Sequence, residues 1–136
     1  MVQVSLINLE GNFYSCKQCL THFALEENII NKNFTCTHGE AYLVDKVVNV
    51  TTGEKESRNM LTGKHIVVDI SCAGCRSIVG WKYETAQDMS QKYKEGKFIL
   101  ERYKLLGPGG SICLPPVNAI VPPLSVETHS YAAGHF

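Results

Sequence analysis

Cys16-Lys17-Gln18-Cys19 and, after a 52-residue interval, Cys72-Ala73-Gly74-Cys75 are the two stretches on which the reading of this chain turns. A Cys-x-x-Cys on a tight turn aims both sulfurs at one centre and supplies half of a tetrahedron. Two such knuckles complete the donor set that structural zinc takes, with Zn–S distances near 2.3 Å in general. Gly74 lies inside the second knuckle and Gly80 a few residues beyond it, which frees the backbone to wrap an ion. The competing reading is redox chemistry, but redox Cys-x-x-Cys motifs usually come singly at a helix start. Cys16, Cys19, Cys72 and Cys75 are therefore assigned to one structural Zn2+. The interval between knuckles is too long for one finger hairpin, so the metal is expected to clamp two hairpin ends of a β domain.

Working outward, the knuckles are flanked by β-formers. Candidate strands are Phe13–Ser15, Glu40–Val50, His65–Ser71, Ile78–Glu84 and Lys97–Leu105. His65-Ile66-Val67-Val68-Asp69-Ile70 alternates most clearly, with Ile66, Val68 and Ile70 on one face. Thr52-Gly53-Glu54 and Thr62-Gly63-Lys64 read as turns. One short helix is predicted over Ala86–Glu95, stopped by Gly96. The fold class is mainly β. Residues 1–11 read as a loosely held leader and 12–106 as the domain. From Gly107 onward, Gly107-Pro108-Gly109-Gly110, Pro115-Pro116 and Pro122-Pro123 break regular structure, so 107–136 is expected to be a disordered or loosely packed tail.

Composition bounds the function. The 136 residues carry a formal net charge of +0, and four thiolates around one divalent ion leave the metal site itself negative. A bulk electrostatic grip on nucleic-acid phosphates is not expected. Met1–Gly11 lacks a basic segment, an apolar core and a cleavage site, and no stretch reaches the roughly 18 apolar residues of a membrane span. These features predict an intracellular protein with reduced thiols, and make the sequons at Asn33 and Asn49 chance matches. Cys36 and Cys113 are left as free thiols. Neither has the setting of a catalytic cysteine, and His38 beside Cys36 does not complete a second cage.

These residues together resemble the Yippee-like family. The cysteine spacing matches, and so do Gly39, Leu43, Asn49, Gly63, Gly80-Trp81, Tyr83, Lys94, Glu101 and the run Gln91-Lys92-Tyr93-Lys94-Glu95-Gly96-Lys97-Phe98. The resemblance covers Asn12 to Leu106. It implies a β-tent-like pair of antiparallel sheets pinned by zinc, as in the Mis18 centromere-licensing protein and the thalidomide-binding domain of cereblon. It also implies a non-enzymatic adaptor or scaffold for protein partners in nucleus or cytoplasm, with roles in proliferation, development or ubiquitin-ligase assembly.

Two alternatives follow. Trp81, with His65 and Tyr83, forms a candidate groove for a small molecule or modified residue, because the cereblon-type domain has a tryptophan wall at the similar place. A thiol-dependent oxidoreductase is the third reading. His22 is expected as a surface or outer-layer neighbour of the metal. His65 is expected to bond locally at its strand end rather than form a dyad with Asp69. Lys92, Lys94 and Lys97 are read as a solvated helix end, and the Lys92–Lys97 segment as a second candidate contact surface.

Overall fold

The structure is a computed structural model and describes residues 5–108. The tail beyond 108, with Cys113, lies outside the described residues.

Among the described residues nine strands form two antiparallel sheets. The small sheet holds β1 (Phe13–Cys16), β2 (His22–Leu25) and β9 (Leu105–Leu106) in the order β2-β1-β9. The large sheet holds β3 (Ile29–Cys36), β4 (Gly39–Val44), β5 (Val50–Met60), β6 (Gly63–Cys72), β7 (Ile78–Ala86) and β8 (Phe98–Glu101), ordered β3-β4-β8-β7-β6-β5. Its centre is β7, which meets β8 through Trp81 opposite Ile99 and β6 through Trp81 opposite Asp69. Gly80 is required there. A Cβ on it would lie 1.8 Å from the Ile99 carbonyl oxygen, so only glycine lets β7 and β8 approach.

Period-2 alternation divides the large sheet into two apolar faces. Val44, Ile70, Cys72, Val79 and Leu100 pack against Tyr14, Phe23, Ala24 and Leu105 of the small sheet, beside the knuckles. On the opposite face Phe34, Cys36, Ala41, Leu43, Val67, Trp81, Tyr83 and Ile99 form a second core. The β6 alternation accounts for both: Ile70 and Cys72 face the first, Val67 the second.

The structure departs from the sequence reading in several elements. The expected strand Glu40–Val50 is β4 followed by a break, with Val50 opening β5. The Thr52-Gly53-Glu54 turn is an irregularity within β5, where the register with β6 shifts between Thr52 and Lys55. In place of an α-helix over Ala86–Glu95, a 3-10 helix spans Met89–Lys94, capped by the Asp88 carboxylate accepting from the Ser90 N–H. Further 3-10 turns occupy Glu26–Asn28 and Arg102–Lys104, the latter interrupting the expected strand Lys97–Leu105.

Lys94 corrects the solvated reading of the Lys92–Lys97 segment. It is 1% exposed, because the tight 3-10 turn carries it inward. Its ammonium lies 5.3 Å from the Phe34 ring centroid, 5.5 Å from that of Tyr83 and 5.9 Å from that of Tyr93, and donates to Thr62 Oγ1 at 3.3 Å. Ring faces attract a buried cation, while burial pushes its pKa down to about 8. The unfolded chain then holds a proton that the folded chain has released, so folding gains stability as pH rises from about 8 to 10.5. A Lys94→Met variant removes this contribution. Urea unfolding across that window should give a steeper rise of stability with pH in the wild type than in the variant; parallel slopes would contradict the assignment.

Candidate metal centre and the Trp81 cavity

The two knuckles are built by one backbone plan. In the first, Leu20 N–H donates to Cys16 C=O at 2.8 Å and Cys16 N–H to Thr21 C=O at 2.7 Å. In the second, Arg76 N–H donates to Cys72 C=O and Cys72 N–H to Ser77 C=O, both at 2.8 Å. Each turn closes on a left-handed residue just after its second cysteine, Leu20 at φ 67° and Arg76 at φ 71°. Holding a non-glycine residue there costs on the order of 1–3 kcal/mol, so both turns are held by what surrounds them. Cys16 ends β1 and Cys72 ends β6, which brings the apices of both sheets together.

The sulfurs pair across the knuckles. Cys16 Sγ lies 3.7 Å from Cys75 Sγ and Cys19 Sγ 3.5 Å from Cys72 Sγ, and all four lie within 4.8 Å of one another. Four sulfurs at about 2.3 Å from a tetrahedral ion stand about 3.8 Å apart, so the arrangement fits a closed zinc site. All four positions are filled by protein, which makes the ion structural: it supplies folding free energy of about 10–16 kcal/mol in peptide models of such sites.

Polar neighbours orient the sulfurs. Thr21 Oγ1 lies 3.1 Å from Cys19 Sγ, Ser77 Oγ 2.9 Å from Cys75 Sγ, and the Gly74 N–H donates to Cys72 Sγ at 3.3 Å. Burial pushes the Cys16 thiol up to about 12 and raises Cys72. Hydrogen bonding from Ser77 draws Cys75 down to about 6. Cys16 and Cys72 therefore hold their protons until a cation displaces them.

His22 makes no contact with the sulfurs; its ring stacks on Phe13 with centroids 3.9 Å apart. His65 is buried, its Nδ1 3.0 Å from the Gly63 carbonyl oxygen and its ring 5.3 Å from that of Tyr83. Burial holds its pKa below the ordinary value. Cys36, on the far side of the large sheet, is pushed up to about 12 by burial and then by the nearby Glu101 charge.

On that same face a cavity of about 350 Å³ opens at Trp81. Its walls include Thr37, Arg58, Met60, Asp69 and Glu101. Arg58 donates to Asp69 at 2.9 Å and also pairs with Glu56. Glu101 faces His38, Oε1 to Nδ1 3.5 Å, and burial raises its pKa against that partner. Of the three residues of the candidate groove, Trp81 lines the cavity. His65 and Tyr83 lie buried behind it in the sheet; Trp81 and Tyr83 meet edge to face at 6.4 Å. The sequence carries no signal for Arg58, Asp69 and Glu101 as cavity residues: β5, which holds Arg58, lacks an apolar period, and Asp69 on β6 and Glu101 on β8 read as solvent-facing charges.

A mainly β domain of two antiparallel sheets with a closed four-cysteine centre defines a structural-zinc module. The family model described as Yippee zinc-binding/DNA-binding/Mis18, centromere assembly, matches residues 12–107, and the chain belongs to this family. A yippee-like protein of Arabidopsis thaliana is 64% identical over 110 residues, covering 81% of this chain and 86% of that protein. One of Solanum tuberosum is 62% identical over 111 residues, covering 82% and 86%. Protein yippee-like 4 of Rattus norvegicus is 48% identical over 97 residues, covering 71% and 76%. Among solved structures, the Mis18 Yippee-like domain superposes with a TM-score of 0.57 at 14% identity, covering 71% of this chain and 93% of that one, a likeness of fold.

The knuckle packing yields a direct test. A Cβ at Gly74 would stand 2.4 Å from Thr21 Oγ1 and 3.0 Å from Cys19 Sγ. Gly74→Ala should weaken zinc binding by about 10–100-fold in competition with a chromogenic chelator, the size of effect seen when a ligand's supporting contacts are disturbed. Wild-type affinity should rise with pH, because binding expels the protons that Cys16 and Cys72 retain.

Proposed function

We propose that this protein is a non-enzymatic interaction module, an adaptor or scaffold that presents the surface around the Trp81 cavity to protein partners. The observation that carries this is the closed donor set: four thiolates saturate a tetrahedral ion and leave it no position for substrate. Cys36 supports it, since a buried thiol pushed up to about 12 is a poor nucleophile at neutral pH. Protein is favoured over nucleic acid because formal charge is zero and the cavity wall carries Asp69 and Glu101. Nucleus and cytoplasm are the proposed compartments. Cell proliferation, development and ubiquitin-ligase assembly are the proposed settings, and the family description's centromere assembly is work of that assembling kind.

The size of the Trp81 cavity favours a second reading, a reader of a small molecule or modified residue. About 350 Å³ lies within the roughly 300–1,000 Å³ of ligand pockets. Saturable change of Trp81 fluorescence with uridine or a cyclic imide, without any partner protein, would favour the reader. A flat response at millimolar ligand would dismiss it.

The adaptor reading is tested by filling the cavity from its exposed wall. Thr37→Arg and Asn59→Arg, both at exposed residues that line the cavity, should each reduce recovery of partners co-purifying with the wild type at least fivefold, with zinc content and unfolding midpoint unchanged. Recovery of the same partners by both variants would contradict the proposal.

A further inference from the structure

Asn49 holds a left-handed backbone at φ 61° between β4 and β5, and its carboxamide is fully engaged. Oδ1 accepts the Ile7 N–H at 2.8 Å. Nδ2 donates to the Ile7 carbonyl at 2.8 Å and to the His22 carbonyl at 2.7 Å. One pleat further along, the Leu9 N–H donates to His22 Nδ1 at 2.9 Å. The Phe13 ring fixes that imidazole by stacking on it.

One carboxamide thus reads both main-chain groups of residue 7, as a neighbouring strand would, and an imidazole reads residue 9. None of these bonds uses a side chain of the bound segment. They recognise extended main chain two residues at a time, the basis of strand addition at a sheet edge. The site adjoins β2, which is the edge of the small sheet.

Residues 5–10 sit in this place without filling it. Leu6 is 43% exposed and Ile7 53%. Beside Ile7 and Leu9 a cavity of about 320 Å³ remains over the buried Phe23 and Ala24, walled by Leu25 and Val48 and, at its polar rim, by Glu27, Asn28 and Lys46. The occupant is therefore held mainly through its backbone, with room beside it that a better-fitting segment would fill.

We infer that the Asn49–His22 groove is a docking site for an extended polypeptide segment with apolar residues at alternate positions, and that residues 5–10 occupy it in cis as a displaceable stand-in. Proline is excluded from the segment's residue on Asn49, which must offer both N–H and C=O. The groove lies on the small sheet, on different residues from the Trp81 cavity, and does not depend on what that cavity binds.

The test uses the full chain. Ile7→Pro removes the N–H given to Asn49 and should release the stand-in, seen as faster hydrogen exchange at the Leu9 amide, with zinc retained. A fluorescently labelled peptide of residues 5–11 should then bind Ile7→Pro saturably, and at least tenfold more tightly than it binds the wild type. Adding Asn49→Gly, which suits the positive φ, should cost at least tenfold. Adding His22→Phe, which keeps the stacking on Phe13, should do the same and serves if Asn49→Gly disturbs folding. The inference is overturned by unchanged Leu9 exchange in Ile7→Pro, by failure of the released protein to bind the peptide, or by binding that survives both groove substitutions. A wild-type dimer that Ile7→Pro dissolves would overturn occupancy in cis and assign the segment to a second copy.

Discussion

Everything in this fold is arranged around the convergence of four cysteine sulfurs from distant parts of the chain. Cys16 ends the first strand with Cys19 just beyond it, whereas Cys72 ends the sixth with Cys75 just beyond it, and no regular element connects the two knuckles directly. Two of the thiols are buried enough to resist ionisation, and both turns carry a left-handed non-glycine residue. A divalent ion resolves these costs together: it stabilises the thiolates, holds the turns and joins the two sheets. With a small sheet whose last strand is two residues long, the apolar core beside the knuckles depends on that junction.

The metal acts on one face of the large sheet and leaves the other to a different kind of constraint. There the second core surrounds a buried ammonium, Lys94, held among aromatic rings beside His65 and Tyr83. Trp81 sits at the margin of that core, packed on its inner side and open to the cavity on its outer side. The central strand β7 thus links the metal apex to the Trp81 cavity, Gly80 allowing the close approach to β8 that places Trp81.

Much of this was legible in the sequence because it rests on spacing and period. The cysteine pairs named the donor set, and the alternation of Ile66, Val68 and Ile70 named β6. What stayed hidden lacks such a signal. β5 is polar along nearly its whole length, since it is an edge strand with solvent on most of its surface, and charged residues there guard the edge against further pairing. β2 and β3 are broken by the Glu26–Asn28 turn, and β3 is exposed through Asn33, leaving little apolar period. The segment Met89–Lys94 has helical spacing over barely two turns, too short for an α-helix to pay its nucleation cost, and Asp88 caps a 3-10 turn instead. Lys94 reads as solvated in any charge count; only tertiary packing buries it. Asn49 has the form of a sequon, yet its carboxamide is spent inside the molecule on Ile7 and His22.

The most direct test of the account is metal stoichiometry by elemental mass spectrometry, taken together with thermal unfolding before and after zinc is withdrawn by a strong chelator. The account predicts one zinc per chain and loss of the cooperative unfolding transition on chelation, restored by adding zinc back. A chain that carries no zinc, or that unfolds at the same temperature with the metal removed, would contradict the claim that the four-cysteine junction holds the two sheets together.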